Sequence, residues 1–287
     1  HADRFDEKYD LVRTLRVGKY KYIRNYQPFN PDGLYNFYRY KMLAYQEWKA
    51  LYDKGKLSQA QSQFFEMKSP EALYDLETDP HEVIDLSKSK EHQEILSQMR
   101  SQLREKLVGL PDLSFYPEPF LLENALENPV AFGQNHQDEI SALMDIADLN
   151  LKTFNQAQEQ IQNALTDTNP WKRYWGLVVC SAFGAQANSF VPLIQSVLND
   201  DSENLVRIRA WEYLALHADI LDNDTILALL KNAQSETEAN LMLNSLALIK
   251  NFKPQTKFDF TKEIFPSEWY DRPNDLVNRR MDYLMEN

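Results

Sequence analysis

The stretch Ala72-Leu73-Tyr74-Asp75-Leu76-Glu77-Thr78-Asp79-Pro80-His81-Glu82-Val83-Ile84-Asp85-Leu86 constrains this chain more than any other. It reads as one short strand that stops abruptly. Leu73, Tyr74 and Leu76 supply apolar and aromatic bulk, and Asp79-Pro80 ends any ladder, because proline has no N–H and fixes its own φ. Val83 and Leu86 resume an apolar spacing of three, which predicts a single helical turn over the strand end. A lone strand needs neighbours, and the sequence offers two. Tyr9 to Val17 and Lys19 to Tyr26 are extended runs around Gly18, which can take a positive φ at a tight turn. In the second run Tyr20, Tyr22, Arg24 and Tyr26 share one face, and Lys19, Lys21, Ile23 and Asn25 the other.

The string resembles the C-terminal signature of the sulfatase family: leucine-tyrosine-aspartate-leucine, two variable residues, aspartate-proline, one variable, glutamate, two variable, then asparagine-leucine. Asp85 stands where the family usually has Asn. The signature carries structure rather than chemistry. The resemblance implies a small antiparallel sheet with a helix packed on one face, bordering the active-site cleft and helping to select the substrate. The hairpin Tyr9 to Tyr26 looks like the family's paired strands. In the branch containing sulfamidases and many bacterial sulfatases, a His just before the first strand faces the substrate pocket. His1 occupies a comparable position, with Asp3 and Arg4 close behind. The resemblance therefore implies substrate binding by His1, Asp3 and Arg4. Arg4 would pair bidentately with a sulfate or carboxylate. His1 and Asp3 would hydrogen-bond sugar hydroxyls, with His1 titrating near neutral pH. The competing reading is a solvated charged loop.

The rest of the chain reads as helix. Leu34 to Leu51 has helical spacing, with Leu43, Trp48 and Leu51 among the expected buried positions, and Gly55 ends it. Ser58 can cap a short helix ending near Met67. Ile95, Met99, Leu103 and Leu107 fall at steps of four, giving an amphipathic helix from about Lys90 to Val108 that Gly109 and Pro111 stop. Pro111, Pro117, Pro119 and Pro129 then suggest an extended linker. From Gln137 onward helical patterns dominate and a weak repeat appears: Arg173, Gly176 and Cys180 recur as Arg207, Ala210 and Leu214, 34 residues on. A two-helix unit of this period must stack to bury its face, and the pattern resembles HEAT-type repeats. The expected fold is α+β: a sulfatase-like C-terminal subdomain at 1–110, a proline-rich linker at 111–136, an all-α HEAT-like repeat at 137–265, and a charged tail at 266–287 with a final helix near Asn274 to Met285.

Composition bounds the function. The 287 residues carry a net charge of −12, which argues against binding nucleic acid or an anionic membrane. It also suits a polyanionic substrate poorly unless basic residues gather locally. Arg13, Arg16, Lys19, Lys21 and Arg24 do gather on the hairpin, although alternating cations more often mark a solvated sheet face. No apolar run is read as reaching the roughly 18–20 residues of a membrane helix, and no signal peptide opens the chain. The resemblance implies a formylglycine, made from the Cys of a Cys-x-Pro/Ala-x-Arg motif, and a calcium ion. The single cysteine lies in Cys180-Ser181-Ala182-Phe183-Gly184, with Gly184 in place of the Arg. Cys180 falls on the apolar stripe of a repeat helix and reads as a small buried hydrophobe. His81, His92, His136 and His217 stand singly, which disfavours metal binding. Trp171, Trp175 and Trp211 read as repeat core. The expectation is thus no catalytic or metal-binding residue in this chain. It would be an inactive part of a sulfuric-ester hydrolase of sulfated carbohydrates, working with an N-terminal catalytic domain. The resemblance places the enzyme in the periplasm or outside the cell, with any signal peptide upstream. The helical repeat would brace the enzyme or bind a protein. The alternative is a non-catalytic helical-repeat binding module.

Overall fold

The computed structural model describes residues 2–3, 7–272 and 275–286. Four strands, β1 (Ala2–Asp3), β2 (Asp10–Val17), β3 (Tyr20–Asn25) and β4 (Glu71–Asp75), form an antiparallel sheet in that order. The hairpin is as the sequence predicts. Val17 pairs with Tyr20 across a two-residue turn in which Gly18 has φ +57°.

Between β3 and β4 the chain makes an excursion through α1 (Phe37–Tyr40), α2 (Leu43–Asp53) and α3 (Gln59–Ser62). The expected single helix over 34–51 starts only at Phe37 and is broken at Lys41-Met42, and no residue of α1 or α2 is buried. Leu43, an expected core position, is 78% exposed, because α2 touches the rest of the fold through Trp48, Tyr45 and Tyr52 instead. Ser58 caps α3 in a reciprocal capping box with Gln61.

After β4, helix α4 (Gln93–Gly109) crosses one face of the sheet. Tyr22 and Leu73 meet Leu96, Met99 and Leu103 in a small closed core. This is the tyrosine-rich face of β3, so the alternation read from the sequence selects the face that α4 covers.

Residues 111–136 do not form an extended strap. Pro119 and Pro129 sit in the first turns of α5 (Glu118–Asn124) and α6 (Pro129–Asn135), where a missing N–H has no consequence. Phe115 and Tyr116 are wholly buried. Then come α7 (Gln137–Ala147), α8 (Phe154–Leu165), α9 (Pro170–Phe183), α10 (Val191–Asp200), α11 (Asn204–His217), α12 (Asn223–Lys231) and α13 (Glu236–Phe252). The helix α9 packs on α8 and α11, and α11 on α10 and α13. Gly176 lets α9 approach α8 closely: a Cβ there would lie 3.2 Å from Ala164 Cβ and Leu165 Cδ2. By length and apolar composition, the helical stretch Pro170–Asp200 would suffice to cross a membrane, contrary to the sequence expectation. In the fold it breaks at Gly184, φ +60°, and its apolar residues line the helical core. The final helix, α14 (Leu276–Met285), is no solvated tail. It packs on α13 and buries Val277, Met281 and Leu284.

The larger core is continuous from Tyr9, Leu11 and Tyr26 beside the sheet to Leu284 in α14. Phe115 links the two parts. Its ring lies 5.1 Å from that of Tyr26 and 5.3 Å from that of Trp175, and its carbonyl accepts from Trp175 Nε1 at 2.8 Å.

Gly176→Leu should destabilise the fold by about 1–3 kcal/mol in urea denaturation, since Ala164 and Leu165 must move aside. Gly109→Ala, where the added methyl meets nothing within 4 Å, should change stability by about 1 kcal/mol or less.

Candidate functional site

The knot at the end of β4 has no catalytic geometry. Leu73 directs its N–H and C=O away from β3. The N–H donates to Asp85 Oδ1 at 3.0 Å, and the C=O accepts from Leu86 N–H at 2.8 Å. Asp85 also accepts from Ser87 N–H at 2.8 Å and, through Oδ2, from Ser87 Oγ at 2.9 Å. Asp79 accepts from the N–H groups of Val83 and Ile84 at 2.8 and 2.7 Å. Asp85 and the Leu86 N–H thus satisfy the Leu73 groups that an open strand edge would leave bare, and Asp79 caps the loop between. The expected helical turn at 83–86 does not form, because Asp79 holds these N–H groups in a loop. Val83 accordingly stays exposed.

The sheet face opposite α4 carries Val12, Ile23, Asn25, Ala72 and Tyr74. Together with the excursion after β3 it walls a cleft of about 610 Å³. Trp48 and Phe64, stacked at 4.7 Å and 14°, form part of the wall, and His81 and Glu82 stand at the rim. At one end lies a group of four charges. Asp10 is 2% exposed and ion-paired to Lys68, with Lys8 Nζ at 3.8 Å. Asp32 lies 3.4 Å from Lys68 Nζ and 3.7 Å from Lys8 Nζ. Burial pushes the Asp10 carboxyl above the usual carboxylate range, and Lys68 and Lys8 offset this only in part. Burial pulls Lys68 down, but Asp10 and Asp32 outweigh it and hold the ammonium above its ordinary value. Aromatic faces beside hydrogen-bonding and charged groups suit a polar ring with apolar faces, such as a sugar.

Of the residues expected to bind substrate, His1 and Arg4 lie outside the described residues. Asp3 belongs to β1, where its backbone pairs with Asp10, next to the charged end of the cleft. The basic hairpin is no open anion platform. Arg13 clasps Asp112 at 2.7 and 2.8 Å, Lys19 holds Asp75 at 2.6 Å, and Lys21 holds Glu82 at 2.7 Å. Arg24 is buried against Asp148 and Asn150. Burial alone would raise the Asp112 carboxyl, but Arg13 outweighs it and holds that group below the usual range.

The described residues do not fit the calcium and formylglycine of sulfatases. Among them no group of three or more His, Cys, Asp or Glu side chains is placed to hold a metal ion. Cys180 is fully buried, its thiol pushed far up by desolvation. Sequence reasoning missed the cleft residues Trp48, Phe64, Tyr74 and Lys68. The aromatic content of residues 35–65 was the one available signal for Trp48 and Phe64.

Over 122 residues the chain is 37% identical to an ulvan-active sulfatase of Formosa agariphila. Part of this chain is related to a sulfatase. The matched stretch is 42% of this chain and 20% of that protein, so the chain spans about a fifth of the relative it matches. No protein-family profile matches the chain, and no solved structure does.

Lys68→Met should remove the main counter-charge of buried Asp10 and destabilise the fold by about 3–5 kcal/mol at pH 7, toward the lower end because Lys8 remains. An acid whose folded pKa is raised favours the fold below its unfolded value and loses that contribution as pH rises through the folded one. The penalty should therefore shrink toward pH 4, measured as urea midpoints of variant and parent across that range.

Proposed function

We propose that this chain is the C-terminal portion of a sulfatase, a sulfuric-ester hydrolase of sulfated carbohydrates, and that it shapes the substrate pocket. The observation that carries this reading is the 37% identity with the ulvan-active sulfatase. The strand-end knot supports it, since Leu73, Asp79, Asp85 and Leu86 occupy signature positions and all serve to close β4. On this reading formylglycine and calcium belong to an N-terminal catalytic domain, and this chain alone hydrolyses nothing. His1, Asp3 and Arg4 lead from that domain into β2 and contact the substrate. The cleft at the open sheet face receives sugar rings beyond the scissile ester. The enzyme works in the periplasm or outside the cell, as the resemblance implies, and the helices of 137–265 form a HEAT-like brace.

The test is sulfate release from sulfated polysaccharides, followed by ion chromatography. The intact protein should release sulfate and the 287-residue chain should release none. In the intact protein, Arg4→Ala should lower kcat/KM about tenfold or more, the loss of a charge-assisted contact of about 1.5–3 kcal/mol. Sulfate release by the chain alone, or none by the intact protein, would sink the proposal.

A further inference from the structure

We infer that the excursion between β3 and β4 is a binding surface for a sulfated polysaccharide chain, held by Arg39, Lys41, Lys54 and Lys56. The choice of a sulfated sugar over other polyanions rests on the reading above. The surface itself rests on charge, exposure and pairing. A net charge of −12 suits a polyanion poorly unless cations gather somewhere, and they gather here. Residues 37–56 hold five Lys and Arg against two acidic residues, a net charge of +3, so the rest of the chain carries −15. The same part is aromatic: nine of the 31 residues 35–65 are Phe, Trp or Tyr, against 12% of the whole chain. Burial does not account for this. No residue of α1 or α2 is buried, and Tyr38, Met42 and Leu43 are 57%, 54% and 78% exposed.

Pairing separates these cations from those of the hairpin. There, Arg13, Lys19 and Lys21 are each held by a carboxylate. On the excursion Lys49 holds Asp53, but among the described residues no carboxylate pairs with Arg39, Lys41, Lys54 or Lys56. Rings take the place of carboxylates. The Arg39 guanidinium lies over Phe64 at 5.2 Å and Tyr45 at 5.8 Å, and Lys41 Nζ lies over Phe37 at 4.0 Å. A ring face holds a cation in position without cancelling its charge. An arriving sulfate therefore displaces no partner. The helix dipole favours Lys54 and Lys56 after α2 but opposes Lys41 before its start, so helix stability explains only part of the set. Spacing fixes the class of ligand. Lys41 and Lys54 flank the 11 residues of α2, which sets them about 20 Å apart along the helix. A single sulfated sugar cannot bridge that distance, and an extended polymer can. Between them Tyr45, Trp48 and Tyr52 follow one another at steps of three and four, half-buried, with ring faces that suit successive sugars. Trp48 also lines the sheet-face cleft, so the surface and the cleft are continuous.

Calorimetric titration of the 287-residue chain with dextran sulfate tests this. Dextran sulfate should bind at low salt and uncharged dextran should not. Lys41→Ala/Lys54→Ala/Lys56→Ala should weaken binding about tenfold or more and lower the slope of log K against log salt by about two. All three lysines are exposed, so the urea midpoint of this variant should match the parent's. Lys19→Ala/Lys21→Ala, which removes two paired cations of the hairpin, should change binding less than about twofold, because those charges are already neutralised. No binding, an equal loss in both variants, or displacement of the polymer by glucose 6-sulfate at equal sulfate concentration would overturn the inference. So would tighter binding of single-stranded DNA, whose bases also stack on aromatic rings. In the intact protein the triple variant should lose the same affinity. Unchanged binding there would mean that the rest of the protein covers this face, and would overturn the inference as well. Binding is read without hydrolysis, so the sulfatase reading, judged by sulfate release, fails or stands separately.

Discussion

One guanidinium joins the sheet to the helices. Arg24 is 2% exposed, and every N–H direction of its fork is used. Nε and Nη2 reach Asp148 Oδ1 at 3.1 and 3.0 Å, and Nη2 also donates to Ala147 O and Asn150 Oδ1 at 2.9 and 2.7 Å. Nη1 donates to Asn25 O and Pro70 O at 2.8 and 2.9 Å. The plane stacks over Tyr26, 4.4 Å from the ring centre. Burying a charge is costly unless it is paired and its hydrogen bonds are met, and here both conditions hold. The consequence is rigid placement. The end of β3, the start of β4 and the end of α7 meet at one atom group, with Phe115 and Trp175 packed against the Tyr26 ring that it covers.

That joint explains what could and could not be read from the sequence. The hairpin was legible because its signals are local: alternation along β3 and a glycine at the turn. The strand of the signature was legible for the same reason. The fate of Arg24 was not, since its partner Asp148 lies 124 residues away, and in a local reading an arginine on an alternating run belongs to a solvated basic face. The prolines of 111–129 failed as linker signals because proline favours a helix's first turn as well as loops. Leu43 failed because helical spacing fixes which residues share a face, not whether anything packs against it. The helical array was legible as helices. Its closeness to the sheet was not, because Phe115 and Tyr116 sit in a stretch whose composition reads as loop.

The candidate site was less legible than the fold. Its walls come from segments far apart in sequence, with Trp48 and Phe64 from the excursion and Val12, Ile23 and Tyr74 from three strands. Only Tyr74 belongs to a motif, and that motif marks a strand rather than a cleft, so each residue reads alone as core or surface. The charged end of the cleft depends on Asp10, Asp32 and Lys68, whose own charge suggests exposure when each is read alone. Burial converts them into a paired group with shifted proton affinities.

Charge pairing also bears on how a sulfated substrate would be met. An anion approaching the hairpin finds Arg13, Lys19, Lys21 and Arg24 each held by a carboxylate, and could use one only by displacing a partner already in place. Displacement at Arg13 or Arg24 is the least favourable, because the carboxylate left behind would lose a bidentate or buried contact in surroundings that penalise an unpaired charge. Arg16, exposed and among the described residues donating only to Gly18 O at 3.3 Å, is easier to recruit, but it sits at the far end of β2 from Asp10 and the cleft's charged end. The cleft itself balances Lys68 and Lys8 against Asp10 and Asp32 and adds Glu66, Glu82 and Asp85 along its lining. Such a surface favours hydroxyls and ring faces over sulfate groups. On the proposed reading, the two tasks therefore divide: the ester's charge is met by Arg4, His1 and the catalytic domain, and the sheet-face cleft accepts the uncharged parts of the sugar chain.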